Sequence, residues 1–243
     1  MAYWQYLLLF STALAGGGAA LFGDRQFRRY LPVLLSFSGA YLLGIAALEL
    51  IPDVFSRGES TAGLWLLLGF FVQLLLEGLS QGVEHGHVHV HRGQNAGFAL
   101  GIMFGLGVHA FLEGLPLGAG AVAPVGDHIH ADDDHLLYGI AMHKLPAAFA
   151  LGLLLRGSGY RKLFVLACLT IFGMLSPLGA LIAEGLSIDP LWRTRILALV
   201  VGSFLHISTT ILFEADGSHR HGVSVQKLAV IVMGMVVAYL TVH

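Results

Sequence analysis

Apolar residues arrive in long unbroken runs along this chain, and short polar stretches rich in Gly, Asp, Arg and His separate them. A helix that crosses a bilayer needs about 20 mostly apolar residues. Lipid also demands that every backbone polar group be satisfied within the segment. Eight runs meet that length, roughly 3–22, 31–55, 62–84, 95–123, 135–156, 161–183, 194–214 and 224–242. They use up most of the sequence and leave no stretch for a soluble unit, so residues 1–243 read as one transmembrane domain. The first run contains a small-residue stretch from Ala13 to Ala20 that resembles a signal-peptide cleavage region. No Lys or Arg precedes it, so the basic n-region is missing and it counts as a span. The predicted fold class is an all-α integral membrane bundle.

Composition agrees and narrows the field. The chain is 56% hydrophobic and 12% charged, against about 25% charged residues in a soluble domain. A net charge of −2 offers no basic field to nucleic acid. The single cysteine, Cys168, rules out an internal disulfide framework. Lys and Arg set the orientation, because cytoplasmic loops carry the excess. Loops after spans 1, 3, 5 and 7 hold nine (Arg25, Arg28, Arg29, Arg92, Arg156, Arg161, Lys162, Arg220, Lys227), and the opposite set holds three. That places the odd-numbered loops in the cytoplasm and both termini outside. Short loops suit a bacterial inner membrane. Glycines such as Gly105, Gly118 and Gly179 are expected where helices approach closely. Pro52, Pro116, Pro146 and Pro177 lie inside spans, where each removes a backbone donor.

Ionisable groups within lipid are costly and mark sites or pathways. The spans contain Glu49, Asp53, Glu77, Glu84, Glu113, Lys144, Glu184 and Glu214, with His109, His143 and His206. Glu84, Glu184 and Glu214 fall near span ends, where water is within reach. His109 and Glu113 are four residues apart, which stacks them on one helix face just before Pro116. The next span carries His143-Lys144-Leu145-Pro146. Imidazole with carboxylate suits zinc, and also admits iron or manganese. Two His and one Glu on two kinked helices make a three-ligand site with a position left open to water. Lys144 is open to two readings at this stage. It snorkels or pairs with Glu77 or another span acid, or it loses its proton beside the ion and couples proton movement to passage.

The segments HAFLEGLPLGAG and HKLPAAFALG resemble the paired signature helices of the ZIP metal-ion transporters. ELIPD at Glu49–Asp53, SPLGALIA from Ser176 and GSFLHISTTILFE from Gly202 to Glu214 are similar to that family's helices 2, 6 and 7. The resemblance implies an eight-helix bundle with an inverted repeat, a homodimer, and inward movement of a divalent ion rather than catalysis. Three positions depart from the family's pattern. Ala110 stands where Asn usually follows the first His, and Ala147 where an acid is expected after the second. Lys144 stands where a two-metal member places a ligand, as in one branch of the family. The resemblance therefore implies a single-metal site of His109, Glu113 and His143, with Glu49, Asp53, Lys144, His206 and Glu214 along the path.

Two loops add His. His85, His87, His89 and His91 alternate with small residues in the loop at 85–93, on the cytoplasmic side by the count above. The loop at 124–135 carries Asp127, His128, His130, Asp132, Asp133, Asp134 and His135, an acidic mouth that concentrates cations on the outer side. Three functions fit these features: a divalent-metal transporter with zinc as cargo and no enzymatic cofactor, an intramembrane zinc hydrolase, or a metal-responsive receptor. No HExxH run is present, which weighs against the hydrolase.

Overall fold

A computed structural model describes residues 1–23, 29–85, 96–120, 134–213 and 224–243. Among these residues it contains eight helices long and apolar enough to cross a membrane. They are α1 (Tyr3–Phe22), α2 (Leu31–Ser56), α3 (Ala62–Ser80), α4 (Ala96–Gly118), α5 (His135–Gly157), α6 (Lys162–Gly185), α7 (Pro190–Phe213) and α8 (Val225–Val242). The protein is an all-α, multi-pass integral membrane protein.

Helix ends follow local chemistry. Helix α3 stops at Ser80, four residues short of the expected end, because Gln81 adopts a left-handed conformation at φ 59° and Gly82 follows at φ 68°. Helix α4 likewise ends at Gly118, before Gly120 at φ 60°, and not at 123. Helix α7 begins earlier than expected, at Pro190, whose missing N–H costs nothing in a first turn. The Asp189 carboxylate accepts from the Leu191 N–H at 2.9 Å there. Helix α2 carries a π-helical turn at Ala46–Leu50, immediately before Pro52.

Helix α5 is the most buried of the eight, while α3 and α8 present most of their surface outward. The α1 helix packs on α5 and α6, α4 on α6, α3 on α7, and α2 on α8. Two apolar cores result, stacked along the helix axes. One gathers Leu21, Leu35, Ile102, Leu106, Leu151 and Phe172, and the other Leu9, Tyr41, Leu50, Leu137, Val201 and Phe204. On α5 the boundary between them falls between Ala141 and Ala147. Every polar residue of interest on α4, α5 and α6 lies at that boundary.

At the end of the bundle where α3 and α7 begin, Trp65 and Trp192 meet edge to face at 5.7 Å. The Arg195 guanidinium lies over both rings, at 5.7 and 5.1 Å from their centroids, and reaches Glu59 at 3.3 Å. Aromatic rings with a polar partner are typical of the membrane–water interface.

Candidate metal centre

His109 is the fourteenth of the 23 residues of α4, and His143 the ninth of the 23 of α5. Both lie about 12–14 Å in from the end where α4 meets α5, at 1.5 Å per residue. That is close to the middle of a hydrocarbon layer about 30 Å thick. His109, Glu113, His143 and Lys144 are each no more than 3% exposed.

The i,i+4 spacing on α4 brings His109 Nε2 to 3.4 Å from Glu113 Oε2. The His109 and His143 rings meet edge to face with centroids 6.2 Å apart, so α5 presents its imidazole to the same point. Lys144 Nζ donates to Glu113 Oε1 at 3.1 Å. The Ser176 hydroxyl of α6 donates to the same oxygen at 2.6 Å and accepts from Lys144. The ammonium also lies 4.4 Å from the centre of the Phe172 ring, a cation–π contact.

Three helices thus converge on one carboxylate, and glycine makes that possible. A Cβ at Gly114 would stand 2.1 Å from the Ser176 carbonyl oxygen, and one at Gly118 would stand 1.7 Å from that of Ala180. On the facing helix, a Cβ at Gly179 would meet the Phe111 carbonyl oxygen at 2.2 Å. Backbone-to-backbone approach of this kind is how small residues pack membrane helices. Each of the three helices also carries a proline just beyond its polar residue: Pro116 after Glu113, Pro146 after Lys144 and Pro177 after Ser176. Each proline leaves a carbonyl one turn upstream without its helical donor.

Among the described residues, no three His, Cys, Asp or Glu side chains gather closely enough to hold one ion. His109, Glu113 and His143 are neighbours, and Glu113 is turned toward Lys144 and Ser176. Lys144 therefore takes Glu113 as its partner, and Glu77 instead meets His206 Nε2 at 2.5 Å. Of the remaining path residues, Glu49 lies 3.2 Å from His135 Nδ1, and Asp53 forms a two-pronged pair with Arg57 at 2.7 and 3.0 Å. Asp134 accepts from the Gln5 amide. Glu214, His87, His89, His91, His128, His130, Asp132 and Asp133 lie outside the described residues, as does the side chain of His85.

Two features escaped the reading of the sequence. Ser176 was visible only as part of a family-like segment, and nothing but the α4–α6 contact reveals its bond to Glu113. Glu84, expected near water, is fully buried and accepts from Gln73 Nε2 at 2.6 Å, while Ser203 donates to the Gln73 carbonyl oxygen at 2.9 Å. The chain turns inward after Gln81 and carries Glu84 back against α5. Glu184, also expected near water, is 45% exposed at the end of α6.

Residues 80–241 of the 243 match the family model described as the ZIP zinc transporter.

Proposed function

The chain belongs to the ZIP zinc transporter family, and we propose that it carries a divalent cation, zinc, toward the cytoplasm through a site of His109, Glu113 and His143. The observation that supports this reading is the Lys144 ammonium held on the Glu113 carboxylate between the two apolar cores, with two imidazoles beside it. A buried carboxylate is costly unless a cation partners it. Lys144 is that partner while the site is empty. An arriving zinc takes the carboxylate and both imidazoles, and Lys144 withdraws toward Ser176 and the Phe172 ring. A fixed positive charge beside the site then weakens binding. Conduction needs this, because an ion bound too tightly does not leave.

The direction is what the family resemblance implies, and the excess of Lys and Arg in the odd-numbered loops identifies the cytoplasmic face. Asp132, Asp133, Asp134, His128, His130 and His135 collect the ion outside, and the Glu49–His135 pair stands at the entrance. Beyond the central site, the loop of His85, His87, His89 and His91 receives the ion. Asp53 and Glu214 relay the ion along its path, and the Lys and Arg count puts both termini outside.

Uptake of radioactive zinc into proteoliposomes tests the reading. Wild-type protein shows flux above empty vesicles, and His109→Ala abolishes it. Absence of flux in the wild type, or equal flux in His109→Ala, would overturn the proposal and return the hydrolase and receptor readings to the front.

A further inference from the structure

Helix α5 is buried almost everywhere, except along one stripe in its first half. Tyr138, Met142 and Leu145, at spacings of four and three residues, are the positions that remain open there beyond the first residue, and Tyr138 is 42% exposed. That stripe forms the floor of a groove of about 400 Å³ whose walls come from α1, α2 and α8, through Thr12, Tyr41 and Val237 among others. The wall it presents is apolar throughout. Three of the four hydroxyls along it, those of Thr12, Tyr41 and Thr241, are engaged within the protein. Thr12 donates to the Leu8 and Leu9 carbonyls at 3.0 and 3.1 Å. Thr241 donates to the Ala238 carbonyl at 2.9 Å and lies 3.5 Å from the Tyr41 hydroxyl.

We infer that this groove is a binding site for one phospholipid acyl chain, from the leaflet on the side where the chain begins and ends. Water gains little there, because a buried water needs two or more polar partners and the surface the groove presents is apolar. An empty groove would forfeit dispersion contacts along its whole lining. The groove opens on the side of a bundle that spans a bilayer, so hydrocarbon is what it meets first. A flexible hydrocarbon chain fits, and the volume lies within the ordinary range for ligand pockets of about 300–1,000 Å³. The chain would lie between α1 and α5 on one side and α2 and α8 on the other, against Leu145, the residue after Lys144. It would complete the packing of the helix that carries His143 and Lys144.

This inference requires only that the bundle spans a bilayer. A protein that moves no zinc but keeps its bound chain leaves it standing. The test reconstitutes the full chain in phosphatidylcholine vesicles containing phosphatidylcholine with a diazirine at mid-chain, followed by illumination and peptide mapping. Adducts are expected to be several-fold more frequent on Tyr138, Met142, Leu145 and Val237 than on Leu67, Phe71 and Leu75, which α3 exposes outward. Val237→Trp fills the groove and removes the excess while labelling of α3 stays constant. Leu8→Trp, from the opposite wall, does the same should the first variant fail to fold. Groove labelling no higher than on α3, or labelling unchanged in a folded tryptophan variant, would each overturn it.

Discussion

Several helix crossings in this protein press glycine against a carbonyl oxygen, and two of them shelter a buried polar cluster beside the contact. Where α3 crosses α7, a Cβ at Gly69 would stand 1.8 Å from the Leu199 oxygen, and one at Gly202 would stand 1.9 Å from the Leu66 oxygen. Gln73, Ser203, Glu77 and His206 occupy the neighbouring turns, joined by a hydroxyl donating to an amide oxygen and by an imidazole–carboxylate pair. Where α4 crosses α6, the backbone approach is as close, but an ammonium and a hydroxyl converge on one carboxylate oxygen. The first arrangement fixes two helices to each other. The second holds a charge pair that an incoming cation can break. Equal packing with unequal chemistry separates the part that holds from the part that works.

Removal of Glu113 should break this comparison most severely. Glu113→Ala leaves the Lys144 ammonium buried without its carboxylate, a loss of about 3–5 kcal/mol for a broken buried pair. Thermal unfolding in detergent should show a large drop in midpoint, and zinc uptake should vanish. Replacing both partners, as Glu113→Leu with Lys144→Leu, should recover most of the stability, since a well-packed apolar pair often substitutes for a buried ion pair. It should recover no flux. A double variant that still transports would show that the pair is scaffolding, like the α3–α7 cluster.

The glycines come next. Gly114→Ala and Gly69→Ala each force a methyl into a facing backbone carbonyl, and each should cost about 1–3 kcal/mol by overpacking. Stability should therefore fall alike in both. Flux should not, because Gly114→Ala pushes Ser176 off Glu113 whereas Gly69→Ala moves helices that carry no central ligand. Equal loss of flux per unit of lost stability would erase the distinction between the crossings.

Much of this architecture was legible in the order of residues, and the exceptions have physical reasons. All eight spans are visible as apolar runs, because lipid forces a length and a composition on each. Their ends are less so. Helix α3 stops at a left-handed Gln81, a conformation that no periodicity announces. The His109–Glu113 face follows from helical spacing alone, and that spacing holds at 3.4 Å. The partner of Lys144 does not follow, because three helices must first be packed before Glu113 becomes nearer than Glu77. Ser176 was hidden for the same reason, since a lone hydroxyl in a span usually bonds its own backbone, as Thr170 and Ser208 do here.

Single hydroxyls give a finer contrast. Ser176→Ala removes one donor to Glu113 and one acceptor from Lys144, and Ser203→Ala removes one donor to Gln73. Each loss should cost about 1 kcal/mol, the net worth of a typical hydrogen bond. Only Ser176→Ala should change the zinc concentration for half-maximal uptake, because only that hydroxyl touches the carboxylate for which the ion competes. A shift of similar size in Ser203→Ala would place both clusters on the ion's route.

The smallest effect belongs to a carboxylate outside both clusters. The Thr61 hydroxyl, and then the Arg195 guanidinium, hold the Glu59 carboxyl below its usual range, although its withdrawal from water acts in the opposite direction. A carboxyl with a lowered pKa in the folded state stabilises the fold above its ordinary pKa, and that contribution disappears as pH falls through the lowered value. Glu59→Gln should therefore leave the unfolding midpoint nearly unchanged in strong acid and lower it slightly near neutrality, which flattens the acid limb. The part-buried pair sits at the rim of the bundle, within reach of water and salt, so the change should be the least of those described and should shrink further at high ionic strength. Zinc uptake should be untouched, since Glu59 holds the rim of α3 to that of α7 and lies on the scaffolding side of the comparison. A Glu59→Gln variant that lost flux would move the boundary between holding and working out to the membrane surface.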